Sequence, residues 1–301
     1  MSAPITDIGP LRCPHCRLGV PQVTSANAAH CSHCALPLPF HDGLLVLVTD
    51  PAAYEQELLQ ARQLNPLWYS AEQPAADLSP WRHHLRKRRL YVESVLLAQL
   101  ARRGQTRFPR LLDLGCGDGT NLTWLQPFAD QLYGSDYNAL RLARARQRVG
   151  DAQLFLADVL DYPAFDASFP VVFFNHVLEH IGDDLRALAT VRRILAPGGV
   201  LILGVPNEGC WWWQLAYKRA PQTLATTDHV HFYTAPDLRR KLEQSGFAVD
   251  HVEHLGWGPP DWTWDGRLRG YKLADDLFEW LGRRLLPTQS SSLYLIATTA
   301  G

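Results

Sequence analysis

The sequence predicts an α/β fold, a mostly parallel sheet with helices on both faces, behind a small segment stapled by cysteines. Three observations predict it. From Arg110 onward, short apolar runs alternate with stretches of helical periodicity, the pattern of strand–helix–strand crossovers. The first run, Leu111 to Leu114, breaks into glycines at alternate positions, Gly115, Gly117 and Gly119. Ahead of it, Cys13-Pro-His-Cys16 and Cys31-Ser-His-Cys34 are two CxxC pairs separated by 14 residues.

Composition narrows the class. A chain of 301 residues implies one or two domains, and 47% hydrophobic against 20% charged residues supports a large core. The net charge of −1 gives no global attraction to nucleic acid or acidic lipid. The N-terminus lacks the basic and apolar regions of a leader peptide, and no apolar run reaches the roughly 18 residues of a membrane span. We therefore expect a cytoplasmic, reducing setting, where paired CxxC motifs bind metal rather than form disulfides.

The elements follow in order. Residues 1–50 read as a zinc ribbon in which Cys13, Cys16, Cys31 and Cys34 offer four thiolates to structural Zn²⁺. Disulfides or unrelated thiols are the alternatives. A segment this short cannot build a core, so the metal would supply its folding energy. The run Leu44 to Val48 is expected to close the ribbon as a strand. Residues 51–80 read as a helical connector. A long helix from about Trp81 to Arg103 should present Leu90, Val95, Leu97 and Leu100 as its apolar face. Residues 81–110 hold nine Arg/Lys against the single acid Glu93; this is read as a solvated face, with an anionic substrate or RNA as the alternative.

The glycine loop then opens the sheet. Asp113 is a charge inside an apolar strand and needs a partner or a role. Glycines allow positive φ and close approach of a ligand to the backbone. The loop has no Lys-Ser/Thr of a phosphate-binding P-loop and its spacing is GxGxG, not GxGxxG.

Asp113-Leu-Gly-Cys-Gly-Asp-Gly-Thr120 resembles motif I of the class I S-adenosylmethionine (SAM)-dependent methyltransferases. The resemblance implies a Rossmann-like, seven-stranded, mostly parallel sheet over residues 81–301. It places Gly115 and Gly117 beside the methionine part of SAM, with Asp113 nearby. Leu132 to Asp136 is strand two, and Asp136 at its end suits the two ribose hydroxyls or, alternatively, an N-cap for the helix from Ala139. Gln153 to Asp158 is strand three. In the family an acid here lies near the adenine amino group, which matches Asp158, with Val159 beside it; a turn cap is the alternative.

Phe169 to His180 is strand four running into a helix, with Asn175 at the ligand-binding end. Its Leu-Glu-His is close to the ubiquinone-biosynthesis-type methyltransferases. His176, Glu179 and His180 have HxxEH spacing and share one helical face that a metal could bridge. Some of those relatives resemble this with an acid in place of His176, and packing or contact with the edge of SAM is the favoured reading. The run Leu195 to Asn207, around strand five (Val200 to Val205), strongly resembles the family, as does Asp228 to Thr234. His229 or His231 is a candidate general base, against a structural role. Strands six (Phe247 to Leu255) and seven (Ser291 to Thr299) should pair antiparallel. Between them, 257–287 is an insertion read as a cap over the acceptor pocket or a homodimer surface, and Trp211 to Trp213 are expected to wall that pocket.

The function implied is methyl transfer from SAM to a small-molecule acceptor. A zinc ribbon ahead of this fold also looks like the arrangement of large-subunit rRNA guanine methyltransferases, so an rRNA or tRNA base methyltransferase is the alternative. A non-catalytic SAM-binding module is the second alternative.

Overall fold

The computed structural model describes residues 9–64, 70, 78–219, 221, 229–259 and 262–299. Asp228 and part of the 51–80 connector lie outside the described residues. The chain opens on a small antiparallel sheet of β1 (Pro21–Ser25), β2 (Ala28–Cys31) and β3 (Pro37–Leu38). The hairpin β4 (Phe40–His41)–β5 (Leu44–Val46) follows, then helices α1 (Pro51–Leu64) and α2 (Arg82–Arg103). The alternating part runs β6 (Phe108–Leu114), α3 (Leu122–Leu125), β7 (Ala129–Asp136), α4 (Ala139–Arg148), β8 (Gln153–Leu156), β9 (Phe169–Asn175), α5 (Asp184–Ile194) and β10 (Leu195–Pro206). It closes with α6 (Trp211–Arg219), α7 (Ala235–Gln244), β11 (Phe247–Leu255), α8 (Trp262–Arg269), α9 (Lys272–Leu285) and β12 (Ser292–Thr299).

The large sheet has the order β11-β12-β10-β9-β6-β7-β8-β5-β4. Pairs from β10 across to β5 are parallel, and β10–β12, β12–β11 and β5–β4 are antiparallel. The seven strands expected from the sequence form one contiguous block. Val171 to Phe174 of β9 are buried, as a strand covered on both faces requires.

The run Leu44 to Val48 does not close the ribbon. Its strand β5 instead extends the central sheet, with Leu45 opposite Phe155 and Val46 opposite Leu156. Leu11, Cys13, Cys31 and Leu38 share one apolar cluster with Phe155, Tyr162 and Ala164. A segment too small to bury its own apolar side chains has borrowed the sheet edge to do so.

The α2 face also differs from the expected one. Val92, Leu96 and Leu100 are buried at fourfold spacing, whereas Leu90 and Leu97 are 50% and 59% exposed. Gly104 ends the helix at φ +62°, its N–H bonded to Ala101 O, while Gln105 N bonds Leu100 O.

The insertion is fastened by charge rather than by its apolar stripe. Leu273, Leu277 and Trp280 of α9 are exposed, while Asp275 and Gly282 face inward. Buried Arg269 Nε donates to Asp275 at 2.8 Å, and Lys87 of α2 reaches the same carboxylate at 2.5 Å. Trp81 Nε1 donates to Asp265 of α8. A buried charge is tolerated only with such partners, so this network fixes where the insertion sits on α2.

Candidate active site

Strand β6 delivers the glycine loop to the carboxyl edge of the sheet. Gly115, Gly117 and Gly119 have φ of +76°, +53° and +76°. A Cβ on Gly115 would lie 2.3 Å from Val177 Cγ2, so both conformation and space demand glycine there. Gly115 N and Cys116 N both donate to Ser135 O of β7, at 2.8 and 2.9 Å.

Asp136, the last residue of β7, is locked to that loop. Its Oδ2 accepts Gly117 N and its Oδ1 accepts Asn138 N, both at 2.8 Å. Burial raises its pKa, and the two N–H bonds and Arg141 pull it back. The capping alternative falls to Asn138, whose side chain accepts Leu140 N and Arg141 N at the start of α4. Asp113 is 1% exposed and its Oδ2 has no hydrogen-bond partner. Burial, then Asp136, push its carboxyl well above the usual range.

Asp158 follows β8, where Ala157 N bonds Asp136 O. Its Oδ1 accepts Leu160 N at 2.8 Å, a turn bond, and Val159 packs on the core. Asn175, at the end of β9, accepts Tyr294 OH at 2.8 Å and Arg88 Nη2 at 3.4 Å. Arg88, Asn175 and Tyr294 line a cavity of about 810 Å³ between the first half of α2 and residues 120–124. Arg82, Arg86, Arg89 and Arg148 border it too while staying exposed, so the basic run of α2 is a solvated face that also forms the rim of this cavity. The sequence offers an anionic contact for this run only as the alternative and does not single out Arg88 or Tyr294, although Arg82, Arg86 and Arg89 recur at helical spacing. Sequence reasoning also missed α1: Tyr54 OH donates to Tyr137 O at 2.9 Å and the two rings meet edge-on at 4.8 Å, beside Asp136.

A second polar cluster lies past β9. His176 takes a left-handed φ of +56°, uncommon outside glycine and found where the surroundings impose it. A single 3₁₀ turn, Leu178–His180, turns Glu179 inward, 1% exposed with neither carboxylate oxygen hydrogen-bonded. His176 Nδ1 is 3.4 Å from Glu179 Oε1, yet burial and then Arg88 depress the His176 pKa to about 4, so it is neutral at pH 7. One ligand atom each from Glu179, His180 and His229 lie within 4.8 Å of one another, a donor set suited to a divalent cation. Backbone bonds from Val230 N and His231 N to Glu179 O hold the 229–231 segment there. His231 points elsewhere: its Nε2 lies 3.1 Å from Gly182 O and its ring stacks on Tyr233.

The structure therefore brings His229 to Glu179 and His180 but sets His231 against α5. None of Trp211 to Trp213, His229 or His231 lines the large cavity. Trp212 is buried with Cys210 and Trp257, while Trp211 is 54% exposed.

The four N-terminal cysteines also converge. Their sulfurs all lie within 4.8 Å of one another, with Cys13–Cys34 at 3.9 Å and Cys16–Cys31 at 3.5 Å. Gly19 N donates to Cys16 Sγ, and such backbone donors hold that thiol down to about 6. This is the donor set and spacing of a tetrahedral thiolate site.

Comparison with known proteins settles the family. A family model described as a methyltransferase domain matches residues 81–252. The chain belongs to this methyltransferase family. A relative from Mycolicibacterium smegmatis, named "Probable S-adenosylmethionine-dependent methyltransferase", is 28% identical over 46% of this chain and 52% of its own length. An uncharacterized 37.1 kDa protein of a Streptomyces fradiae transposon is 34% identical over 54% of this chain and 49% of its own. The chain thus spans about half the length of these two relatives. A ubiquinone biosynthesis O-methyltransferase of Cereibacter sphaeroides is 25% identical over 71% of this chain and 90% of its own.

Among solved structures, the methyltransferase in a complex with the Haloferax volcanii Trm112 activator superposes with TM-score 0.51 at 18% identity, covering 77% of this chain and all of that one. The [4+2]-cyclase SpnF superposes with TM-score 0.50 at 16% identity, over 82% of this chain and 97% of its own. These likenesses confirm the Rossmann-like fold, and a cyclase among them shows that the fold alone does not fix the reaction.

Proposed function

We propose that this methyltransferase-family chain transfers the methyl group of SAM to a small-molecule acceptor. The observation that carries the reading is the Asp136 carboxylate, pinned by Gly117 N and Asn138 N at the end of β7. A carboxylate has about four lone-pair sites, so those two bonds leave sites for two ribose hydroxyls. The unpartnered Asp113 oxygen fits the α-ammonium, and Arg88 with Asn175 fits the α-carboxylate. Asp158 and Val159 would face the adenine. Bound there, SAM supplies an electrophilic methyl on a sulfonium.

The chain's own part is to align the acceptor in line with that methyl and to exclude water. His229, beside Glu179 and His180 and outside the α2 cavity, is the candidate to take a proton from the end of the acceptor that reaches past β9; His231 is assigned the structural role. The ribbon cysteines Cys13, Cys16, Cys31 and Cys34 would hold one structural Zn²⁺. Among the described residues no helix is long and apolar enough to cross a membrane, and we place the enzyme in the cytoplasm.

Methyl-tritiated SAM offered with separated cell fractions tests the reading. Label should enter the low-molecular-mass fraction and be lost with Asp136→Ala. Label in RNA alone would favour the RNA-modifying alternative, and SAM binding without transfer the non-catalytic one.

A further inference from the structure

We propose that the acceptor is an anion, a small molecule bearing a phosphate or carboxylate, held by the arginines of the α2 cavity; this rests on the SAM reading above. Arg82, Arg86, Arg88, Arg89 and Arg148 line that one cavity, and among the described residues no Asp or Glu lines it. Among the described residues only Arg89 has a carboxylate partner, Glu93 at 2.8 Å. The other contacts are neutral: Arg88 donates to Tyr294 OH and Asn175, Arg148 to Thr120 Oγ1, and Arg82 to Gly270 O.

This charge is concentrated, not global, because the chain as a whole carries −1. SAM does not balance it. Its sulfonium and ammonium outweigh its one carboxylate, so the cofactor arrives with net positive charge and at most occupies Arg88. Guanidiniums gathered beside a cationic cofactor repel one another and it; solvent screens part of this at the exposed Arg82, Arg86, Arg89 and Arg148 and less of it at the half-buried Arg88. An acceptor with its own anionic group reverses the sign of these terms. Arginine is the suited donor, because its planar fork meets phosphate or carboxylate with two parallel hydrogen bonds. The floor below them is apolar, with Trp124 and Phe173 edge-on at 5.8 Å, and fits an uncharged ring or chain attached to the anion. A concave cavity of about 810 Å³ is the form of a small-molecule site.

Calorimetric titration of phenyl phosphate, benzoate and neutral benzyl alcohol into the full chain, with and without saturating S-adenosylhomocysteine, tests this. At least one anion should bind tenfold or more tightly than benzyl alcohol, and Arg86→Gln with Arg82→Gln should reduce that preference at least fivefold. Which anion wins separates phosphate from carboxylate. Equal binding of all three probes overturns the proposal. So does a single-stranded RNA oligonucleotide that binds more tightly than either anion, with a steep salt dependence lost in the same variants. Failure of S-adenosylhomocysteine to bind would refute the SAM reading instead, and the anion preference of the free protein would then stand or fall alone.

Discussion

Arg17, one residue past the ligand candidate Cys16, forms an ion pair with Asp161, three residues past Asp158. Thr49 Oγ1 donates to the same Asp161 oxygen at 2.5 Å. The cysteine knuckle thus holds the loop that leaves β8. Burial opposes the Asp161 charge, but Thr49 and Arg17 hold its carboxyl below the usual range. Its contribution to stability is complete above the ordinary Asp pKa of about 3.9 and is lost as pH falls through the lowered folded value. The pair is partly exposed, so Arg17→Ala should cost at most about 1 kcal/mol. The check is urea unfolding at pH 7 with zinc content unchanged; a loss several times larger would mean that Arg17 supports the knuckle itself.

Elemental analysis of anaerobically purified protein should find one zinc per chain. Cys16→Ser should lose the metal and lower the thermal midpoint, because metal binding supplies folding energy to a segment without its own core. Full zinc retention in that variant would remove Cys16 from the site.

Asp113 gives a prediction of opposite sign. Its folded pKa is raised, so between the unfolded and folded values the native state binds more protons and stability falls as pH rises. In the absence of SAM, Asp113→Asn should be more stable than the parent at pH 7, with the gain shrinking toward pH 4. Thermal melts of the two proteins across that range decide it. A variant less stable than the parent at pH 7 would show that the Asp113 charge is already satisfied.

Gly115→Ala should abolish the loop geometry. Left-handed φ costs an alanine roughly 1–2 kcal/mol, and its Cβ would strike Val177. S-adenosylhomocysteine affinity should fall, with part of the loss recovered by adding Val177→Ala. Unchanged affinity in the single variant would place the ligand away from this loop.

Much of this site was legible because a few residues have narrow conformational options. Only glycine fits Gly115, and an acid ending a buried strand, as Asp136 does, has little choice but to face the edge where ligands bind. Long-range pairings were not legible. Nothing local in Leu44 to Val46 says that β5 will pair with β8, since any apolar run can complete either sheet. The stripe of α9 suggested an apolar contact, but the buried pair of Arg269 with Asp275 set its orientation, and such a pair has no sequence period. Arg88 looked like one more solvated cation until Asn175 and Tyr294, at positions 175 and 294, were brought against it. His229 and His231, two residues apart, parted because the backbone donors of Val230 and His231 both go to Glu179 O, which leaves the two rings on different neighbours.

The most direct measurement is calorimetric titration of S-adenosylhomocysteine into the parent chain and Asp136→Ala. The account predicts one site per parent chain and a loss of roughly 1.5–3 kcal/mol in the variant, about 12- to 140-fold in affinity. Equal affinity of the two proteins would contradict it.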